Sequence, residues 1–382
     1  MTLTPSSGWS KYSDITVGSP SSNYQMKIDL RRGGSHLNND PANGILYDEY
    51  GTGDNGCYYS DMRDVQINST DDPTTGTRLP QWTEEVDDGV KRVFWVKTNG
   101  AEHIYIFVGN QNASEYSDGD ATFIFFDDFS GDLSKWTTSD SPSISNGELV
   151  LDNDDNVYSI NTYGHYGIRV RDRAKCNEQD VGLIALRKNT EPPEKYQIVI
   201  KNTDLSDGNP DLSHCWTETK DETYYANKNI PCDLLTNYNT FEITWENGDV
   251  YFYQNDNQLS HHTKCVPTVA LHVRLYVWDS SQESTEWVDW IFVAKHASTE
   301  PSFTNFGAWT DVSGGYADSG LRIYDGTNII KLAKYSDATT SAFRIFDGSS
   351  VIYLVLVDTT DANATGLRIY DGTNVKAVAK YT

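Results

Sequence analysis

Apolar residues in this chain recur at every second position, and no stretch sustains the 3.6-residue apolar period of an amphipathic helix. Runs such as YQMKIDL, KRVFWVKT, KYQIVIKN and ALHVRLYVWD alternate apolar with polar residues, and Gly, Asn, Asp and Pro separate them. Alternation of this kind builds strands with one face in a core. The fold is therefore expected to be all-β. The 24 Tyr and 10 Trp suit it, because aromatic residues favour strands. The longest apolar block, VIYLVLV at 351–357, is far shorter than the roughly 18 residues a spanning helix needs, so no membrane insertion is expected.

Thirty Lys and Arg stand against 55 Asp and Glu, a net charge of −25. Such a surface repels phosphate backbones, which sets nucleic acid aside as a partner. The N-terminal MTLTPSSGWSKYSD has no basic region and no apolar run, so no export signal is expected there. Of five cysteines, none forms a CxxC pair. Cys176, Cys215, Cys232 and Cys265 could supply up to two disulfides within one domain.

Spacing and composition divide the chain in three: a β-sandwich over 1–128, a second over 129–298, and a C-terminal β-hairpin-repeat module over 299–382, with 296–309 as linker. In the second unit, WENGDVYFY signals a hairpin at Asn247-Gly248. In the third, LRIYDGTN stands at 321–328 and again at 367–374, with FRIFDGSS at 343–350 between them. A three-residue loop with a glycine bulge pairs Leu321 with Ile329, Phe343 with Val351 and Leu367 with Val375, all apolar. A two-residue loop would set Leu367 against Lys376. The three-residue register is therefore expected, with Arg322, Arg344 and Arg368 on the polar face. Asp325-Gly326, Asp347-Gly348 and Asp371-Gly372 then make the turns. Residues 351–357 are apolar at both parities, so one hairpin cannot bury both faces. The three hairpins are expected to form a small prism, or identical chains to supply the cover, as in a homotrimer.

The first two units also carry a family signal. GWSKYSDITV and YQMKIDL are followed by SDMRDVQINSTDD, LPQWTEEVDDGVKRVFWVKT and IYIFVGNQNASEYSDGDATFIFFDDFSGDLSKW. With Asp61, Arg63, Asp64, Trp82, Trp95 and Gly109-Asn110 in this order, residues 8–128 resemble the family known as Domain of Unknown Function 2341. Residues 129–297, closing on VDWIFVAKHASTEP, resemble the laminin-G-like, concanavalin-type jelly rolls that often follow it. The resemblance implies paired β-sandwiches in surface or particle-displayed proteins of archaea and their viruses. It implies binding or structural roles and brings no catalytic residues.

Several local patterns bear on chemistry. GTGDNG at 51–56 has the dinucleotide spacing but lacks the strand before and the helix after, so it reads as a turn. DNDDN at 152–156 opens like a calcium loop, but Val157 and Tyr163 stand where an EF-hand needs Gly and Glu. Asp152 and Asp154 remain candidate ligands for a lone Ca2+. Glycosidases of this sandwich type set two carboxylates on one inward strand. In ESTEWVDW, Glu286 and Asp289 are three apart and fall on opposite faces. Enzymatic activity is not expected. The His and Cys of SHCW (213–216) and HHTKC (261–265) have no spacing that forces a metal site. Trp216, Tyr224, Tyr225 and Asn227 lie in a polar, loop-like stretch, where rings can stack on a pyranose and an amide bind hydroxyls. These four are the candidate glycan site. Trp95, Trp245, Trp278 and Trp290 are expected in cores.

These readings converge on a non-enzymatic structural protein of an archaeal virion (tail fibre, spike or capsid appendage), exposed on the particle. It is expected to assemble with itself and with other virion proteins, and to attach to a host-surface glycan or glycoprotein. An archaeal cell-surface adhesin or surface-layer-associated module, and a glycan-active enzyme, are the alternatives.

Overall fold

The computed structural model describes residues 8–33, 38–48, 56–164, 166–178, 180–188, 195–202, 212–278 and 284–312, and the backbone of seven strands between 322 and 377. The chain forms two units, Gly8–Val312 and Met1–Ser7 with Ser313–Thr382. The turn expected at 51–56 lies outside the described residues except Gly56.

The larger unit opens with β1 (Lys11–Gly18), β2 (Gln25–Arg32), β3 (Ile45–Asp48), β4 (Val65–Asn68), β5 (Gln81–Asp87), β6 (Lys91–Lys97) and β7 (His103–Val108). One helical turn, α1 (Gly119–Thr122), leads into β8 (Phe125–Asp127), β9 (Trp136–Ser139), β10 (Ser143–Ser145), β11 (Glu148–Asp152), β12 (Asn156–Tyr163), β13 (Ile168–Cys176), β14 (Val181–Arg187) and β15 (Gln197–Asn202). Then come β16 (His214–Lys220), β17 (Tyr225–Pro231), β18 (Asn239–Trp245), β19 (Val250–Gln254), β20 (Asn257–His262), β21 (Leu271–Val277) and β22 (Thr285–Lys295). Two strands close the unit, β23 (Ser302–Phe306) and β24 (Thr310–Asp311).

The first sandwich stacks the sheet β23-β1-β7-β4 on the sheet β3-β2-β6-β5. Its core takes every second residue of these strands, among them Ile15, Val17, Ile28, Leu30, Ile67 and Val96. The expected linker is therefore not a linker. Ile15 pairs with Phe306 and Val17 with Phe303, while β24 sets Asp311 opposite Lys11. A bulge in this ladder lets Phe303 and Phe306, three apart, both face inward, and Trp309 joins the same core. The first sandwich thus draws its last strands from beyond the second.

The second sandwich is an antiparallel jelly roll. One sheet runs β10-β11-β22-β13-β18-β19-β20, with β8 on β22; the other runs β17-β16-β15-β14-β21-β12-β9. The strand LHVRLYV shows why the sheets face as they do: Leu271, Val273, Leu275 and Val277 enter the core, leaving His272, Arg274 and Tyr276 outside. The hairpin expected at Asn247-Gly248 joins β18 to β19 through residues 246–249, with Gly248 at φ 91°.

The first sandwich packs on the outer face of the β22-containing sheet. Trp82 and Trp95 meet Phe123, Phe126, Trp290, Phe292 and Ala294. Beside this aromatic layer the buried Arg171 guanidinium donates to Glu84 of the first sandwich at 2.7 Å and to Asp256 at 2.7 Å. The outer face of the other jelly-roll sheet lies on the far side from this contact.

In the smaller unit, β25 (Arg322–Tyr324) pairs with β26 (Ile329–Lys331). A five-stranded meander follows, with β27 (Ala333–Ser336), β28 (Ser341–Phe346), β29 (Val351–Val355), β30 (Arg368–Tyr370) and β31 (Val375–Ala377). All three repeats are hairpins, but the expected register is corrected. The closing pairs are Tyr324 with Ile329, Phe346 with Val351 and Tyr370 with Val375. Each loop therefore has four residues rather than three. In all three, the register sets an aromatic position opposite a β-branched one, a favoured cross-strand combination. Asp325, Gly326, Asp347, Gly348, Asp371 and Gly372 lie outside the described residues, and Arg322, Arg344 and Arg368 are placed by backbone alone.

Candidate functional site

The polar stretch expected as a loop is a hairpin. β16 pairs with β17 so that Lys220 faces Tyr225, Glu218 faces Asn227 and Trp216 faces Asn229. Because Cys215, Thr217 and Thr219 are buried on the inner side, these partners share the outer face. Three of the four candidate glycan residues, Trp216, Tyr225 and Asn227, are thus brought onto one surface. Tyr224 sits just before the strand, in the turn. Tyr224 and Tyr225 are 68% and 65% exposed, whereas Trp216 is half-buried.

The ladder extends this face across the sheet in rows that step from strand to strand at about 4.8 Å. One row holds Arg187, Gln197, Lys220 and Tyr225 on β14 to β17. The next holds Tyr158, Arg274, Ala185, Val199, Glu218 and Asn227. Tyr276 stands opposite Gly182, and its ring packs against Ala185 and Val199. A Cβ at Gly182 would lie 2.1 Å from that ring, so only glycine lets Tyr276 lie down on the sheet. The Arg274 guanidinium stacks between Tyr276 (3.9 Å) and Tyr158 (5.0 Å), and its Nε donates to Asn156 at 2.7 Å. Burial pushes the Tyr276 phenol up, and Arg187 partly opposes this.

The result is a groove of about 220 Å³ lined by Arg187, Gln197, Lys201, Glu218, Lys220, Tyr225, Tyr276 and Trp278. Glu218 is its one carboxylate among the described lining residues. It accepts from Lys201 Nζ at 2.9 Å and Gln197 Nε2 at 3.0 Å. Trp278 is a correction: it was expected in a core with Trp95, Trp245 and Trp290, yet it is 63% exposed while those three are buried. The signal was in the strand, since Trp278 has the parity of Arg274 and Tyr276 rather than that of Val277. Arg187, Lys201, Glu218 and Tyr276 were missed as well, and became neighbours only through strand order.

The other candidates do not assemble into sites. Asp152 and Asp154 flank a tight turn in which Asn153 and Asp154 have positive φ. The carboxylate that organises this turn is Asp155, which accepts from Ser141 N at 2.8 Å and Asp152 N at 3.0 Å. Among the described residues no three His, Cys, Asp or Glu groups are placed to hold a metal. His262 is buried between Thr217 (3.1 Å) and Thr219 (3.0 Å), and His261 pairs with Asp249 at 2.6 Å. All five cysteines are free thiols. Glu286 is buried in the core while Asp289 pairs with Arg173 on the other side, so the two carboxylates do point apart.

A larger cleft of about 500 Å³ lies between the sandwiches, where Arg169, Glu242, His296, Glu300 and Tyr24 meet. Its charges answer one another. Glu300 accepts from Tyr24 at 2.8 Å, lies 2.6 Å from His296 Nδ1 and pairs with Arg169, while His296 Nε2 lies 2.8 Å from Glu246. The cleft is a joint.

The residues shared with the resembled family are also scaffold. Asp64 accepts backbone N–H groups of Tyr58 (2.6 Å), Tyr59 (3.1 Å) and Gly109 (2.9 Å). Arg63 bonds Asp61 at 3.1 Å and lies over the Tyr59 ring. A Cβ at Gly109, whose φ is 82°, would fall 1.7 Å from Ser10 Oγ.

Residues 61–139, about a fifth of the chain, match the model of the family described as Domain of unknown function (DUF2341). No curated protein matches. Solved structures similar to the chain include the Bacillus licheniformis β-glucanase, at 16% identity over 45% of this chain and 98% of that one, with a TM-score of 0.38. A prokaryotic β-1,3-1,4-glucanase (lichenase) from a mouse hindgut metagenome is 13% identical over 45% and 99%, with a TM-score of 0.37. A glycosyl hydrolase family protein from Mycobacterium fortuitum is 15% identical over 45% and 99%, with a TM-score of 0.36.

Proposed function

We propose that this chain is a non-enzymatic glycan-binding structural protein, which holds its ligand in the groove over β14 to β17 and is displayed on an extracellular particle such as an archaeal virion. The observation that carries the binding reading is that Tyr225, Tyr276 and Trp278 line one groove with Gln197 and Glu218, next to Asn227. Rings provide stacking surfaces for a sugar face, and the amides and carboxylate address its hydroxyls. The non-enzymatic reading is supported by Glu218, which Lys201 and Gln197 engage and which has no second acid among the described lining residues. Two-carboxylate hydrolysis requires a partner within about 5–10 Å. The display reading is supported by the C-terminal repeats, whose central strand β29 lies within an unbroken apolar run and would be covered by further copies or partner proteins.

The test is titration of oligosaccharides into the full chain. Trp278→Ala removes an exposed ring without touching a core, so it should weaken binding roughly tenfold, about 1.4 kcal/mol, while the melting temperature holds. Unchanged affinity in Trp278→Ala and Tyr225→Ala would sink the site, and release of reducing ends would sink the non-enzymatic reading. Light scattering of the full chain tests self-association, which the display reading requires.

A further inference from the structure

Three of the five thiols meet in the jelly-roll core. The spacing of the cysteines leaves their pairing open, but the strand register narrows it. Cys215 stands opposite Ile230 in the β16–β17 ladder, and Cys232 extends that ladder past Pro231, donating its N–H to Ser213 O at 2.8 Å. Residues two apart on a strand share a face, so Cys215 and Cys232 are diagonal neighbours on the inner side of the hairpin. Both pack in the same core, Cys215 fully buried and Cys232 partly. Their side chains touch: a hydrogen bond with the Cys232 thiol, and after it burial, pushes the Cys215 thiol well up.

The other thiols are placed differently. Cys176 enters the cluster from β13 of the opposite sheet, opposite Glu286 in its own ladder, and its N–H donates to Leu235 O at 2.9 Å. Cys265 follows Lys264, whose carbonyl accepts from Thr219 Oγ1 at 2.9 Å. Thr219 and Cys215 are about 13 Å apart along β16, so Cys265 belongs to the other end of the strand. Cys57 lies in the core of the first sandwich. Within the touching pair only Cys232 is open to solvent, and a reagent from outside meets it first.

We infer that Cys215 and Cys232 join in a disulfide when the folded chain meets a small-molecule disulfide, and that this bond clamps the open end of the β16–β17 hairpin. The Cys232 thiolate attacks one sulfur of the small disulfide, forming a mixed disulfide and releasing one thiolate. The Cys215 sulfur then attacks the Cys232 sulfur, and the second small thiolate leaves. Two protein thiols are oxidised, one small disulfide is reduced to two thiols, and the two cysteine protons pass to the leaving thiolates. β17 is the edge of its sheet and pairs there with β16 alone, so a covalent tie acts where the ladder is least supported. The closed loop, 215–232, contains Glu218, Lys220, Tyr225 and Asn227. The inference is independent of whether the groove binds glycan.

The test incubates the full chain with oxidised glutathione, alkylates the remaining thiols and maps the peptides by mass spectrometry. Free thiols should fall from five to three, with one peptide pair joined through Cys215 and Cys232, and dithiothreitol should reverse both. The oxidised form should melt roughly 5 °C or more above the reduced one, because the cross-link restricts the unfolded chain. Cys232→Ser should abolish the peptide pair and the shift, while Cys265→Ser leaves both. Five free thiols, glutathione retained on Cys232, or a link from Cys232 to Cys176 would each overturn the pairing. A linked chain that melts no higher than the reduced one would overturn the clamp.

Discussion

Single side chains set the conditions under which the two sandwiches stay together. Glu300, from the segment after β22, is held down to about 2: burial opposes this, but the hydrogen bond to His296 and the Arg169 charge outweigh it. His296 is raised, because hydrogen bonds to Glu300 and Glu246 exceed the opposing effect of burial. The two act at opposite ends of the pH range. Glu300 contributes stability above its unfolded value of about 4.3, lost as pH falls toward its folded one; His296 contributes below about 6.5, lost as pH rises through its folded value. The melting temperature should therefore be highest between about pH 4.3 and 6.5. His296→Gln should flatten the alkaline side and Glu300→Gln the acid side. Profiles unchanged in both variants would show that the joint is inert. Residues of this kind were not legible in the sequence, since Tyr24, Arg169 and Glu300 meet only after two domains have folded. Trp95, Trp245 and Trp290 were legible as core from their strands. Trp278 was not, because bulk outweighed parity in judging a residue whose side chain points to water.

At the scale of strands and turns, alternation located the strongly apolar strands, among them β2, β6, β14, β15, β21 and β22, but not the short or polar ones such as β3, β12, β20, β23 and β24, and pairing partners and loop lengths were less apparent still. The repeats show why. Asp-Gly suits turns of two, three or four residues, and matching the apolar Leu positions selected three; the closing pair of Tyr or Phe with Ile or Val selects four. Polarity likewise disguised β16 and β17 as a loop, because an outer hairpin with a wet face lacks a clean apolar alternation. Gly182 shows an element interior in which the missing side chain matters. Gly182→Ala would push a methyl into the Tyr276 ring, an overpacking that should cost about 1–3 kcal/mol. It should also weaken glycan binding, because Tyr276 floors the groove. A variant with wild-type melting and binding would contradict the packing described for this pair.

For the molecule as a whole, the decisive feature is that the jelly roll interrupts the first sandwich. Weak strands such as SFTNF, following a complete second domain, give no local hint that they belong to the first. Two consequences can be measured. A fragment of residues 8–128 lacks Phe303, Phe306 and Trp309 and should not melt cooperatively, whereas residues 8–312 should. In the full chain, Phe306→Ala should destabilise by about 3–5 kcal/mol, the usual range for a buried phenylalanine. Cooperative melting of the short fragment would mean that β23 and β24 are dispensable.

The same closure has a mechanical side. Lys11 faces Asp311 across the ladder, and Val312 N donates to Ser10 O at 3.0 Å, so the chain enters and leaves the Gly8–Val312 unit side by side. A tension drawn between those two points would open the β1–β24 ladder one pair at a time, as a zip opens, rather than shear all its bonds together. That seam belongs to the first sandwich alone. A pull strong enough to part the seam would expose the first core while leaving intact the sheet that carries the groove.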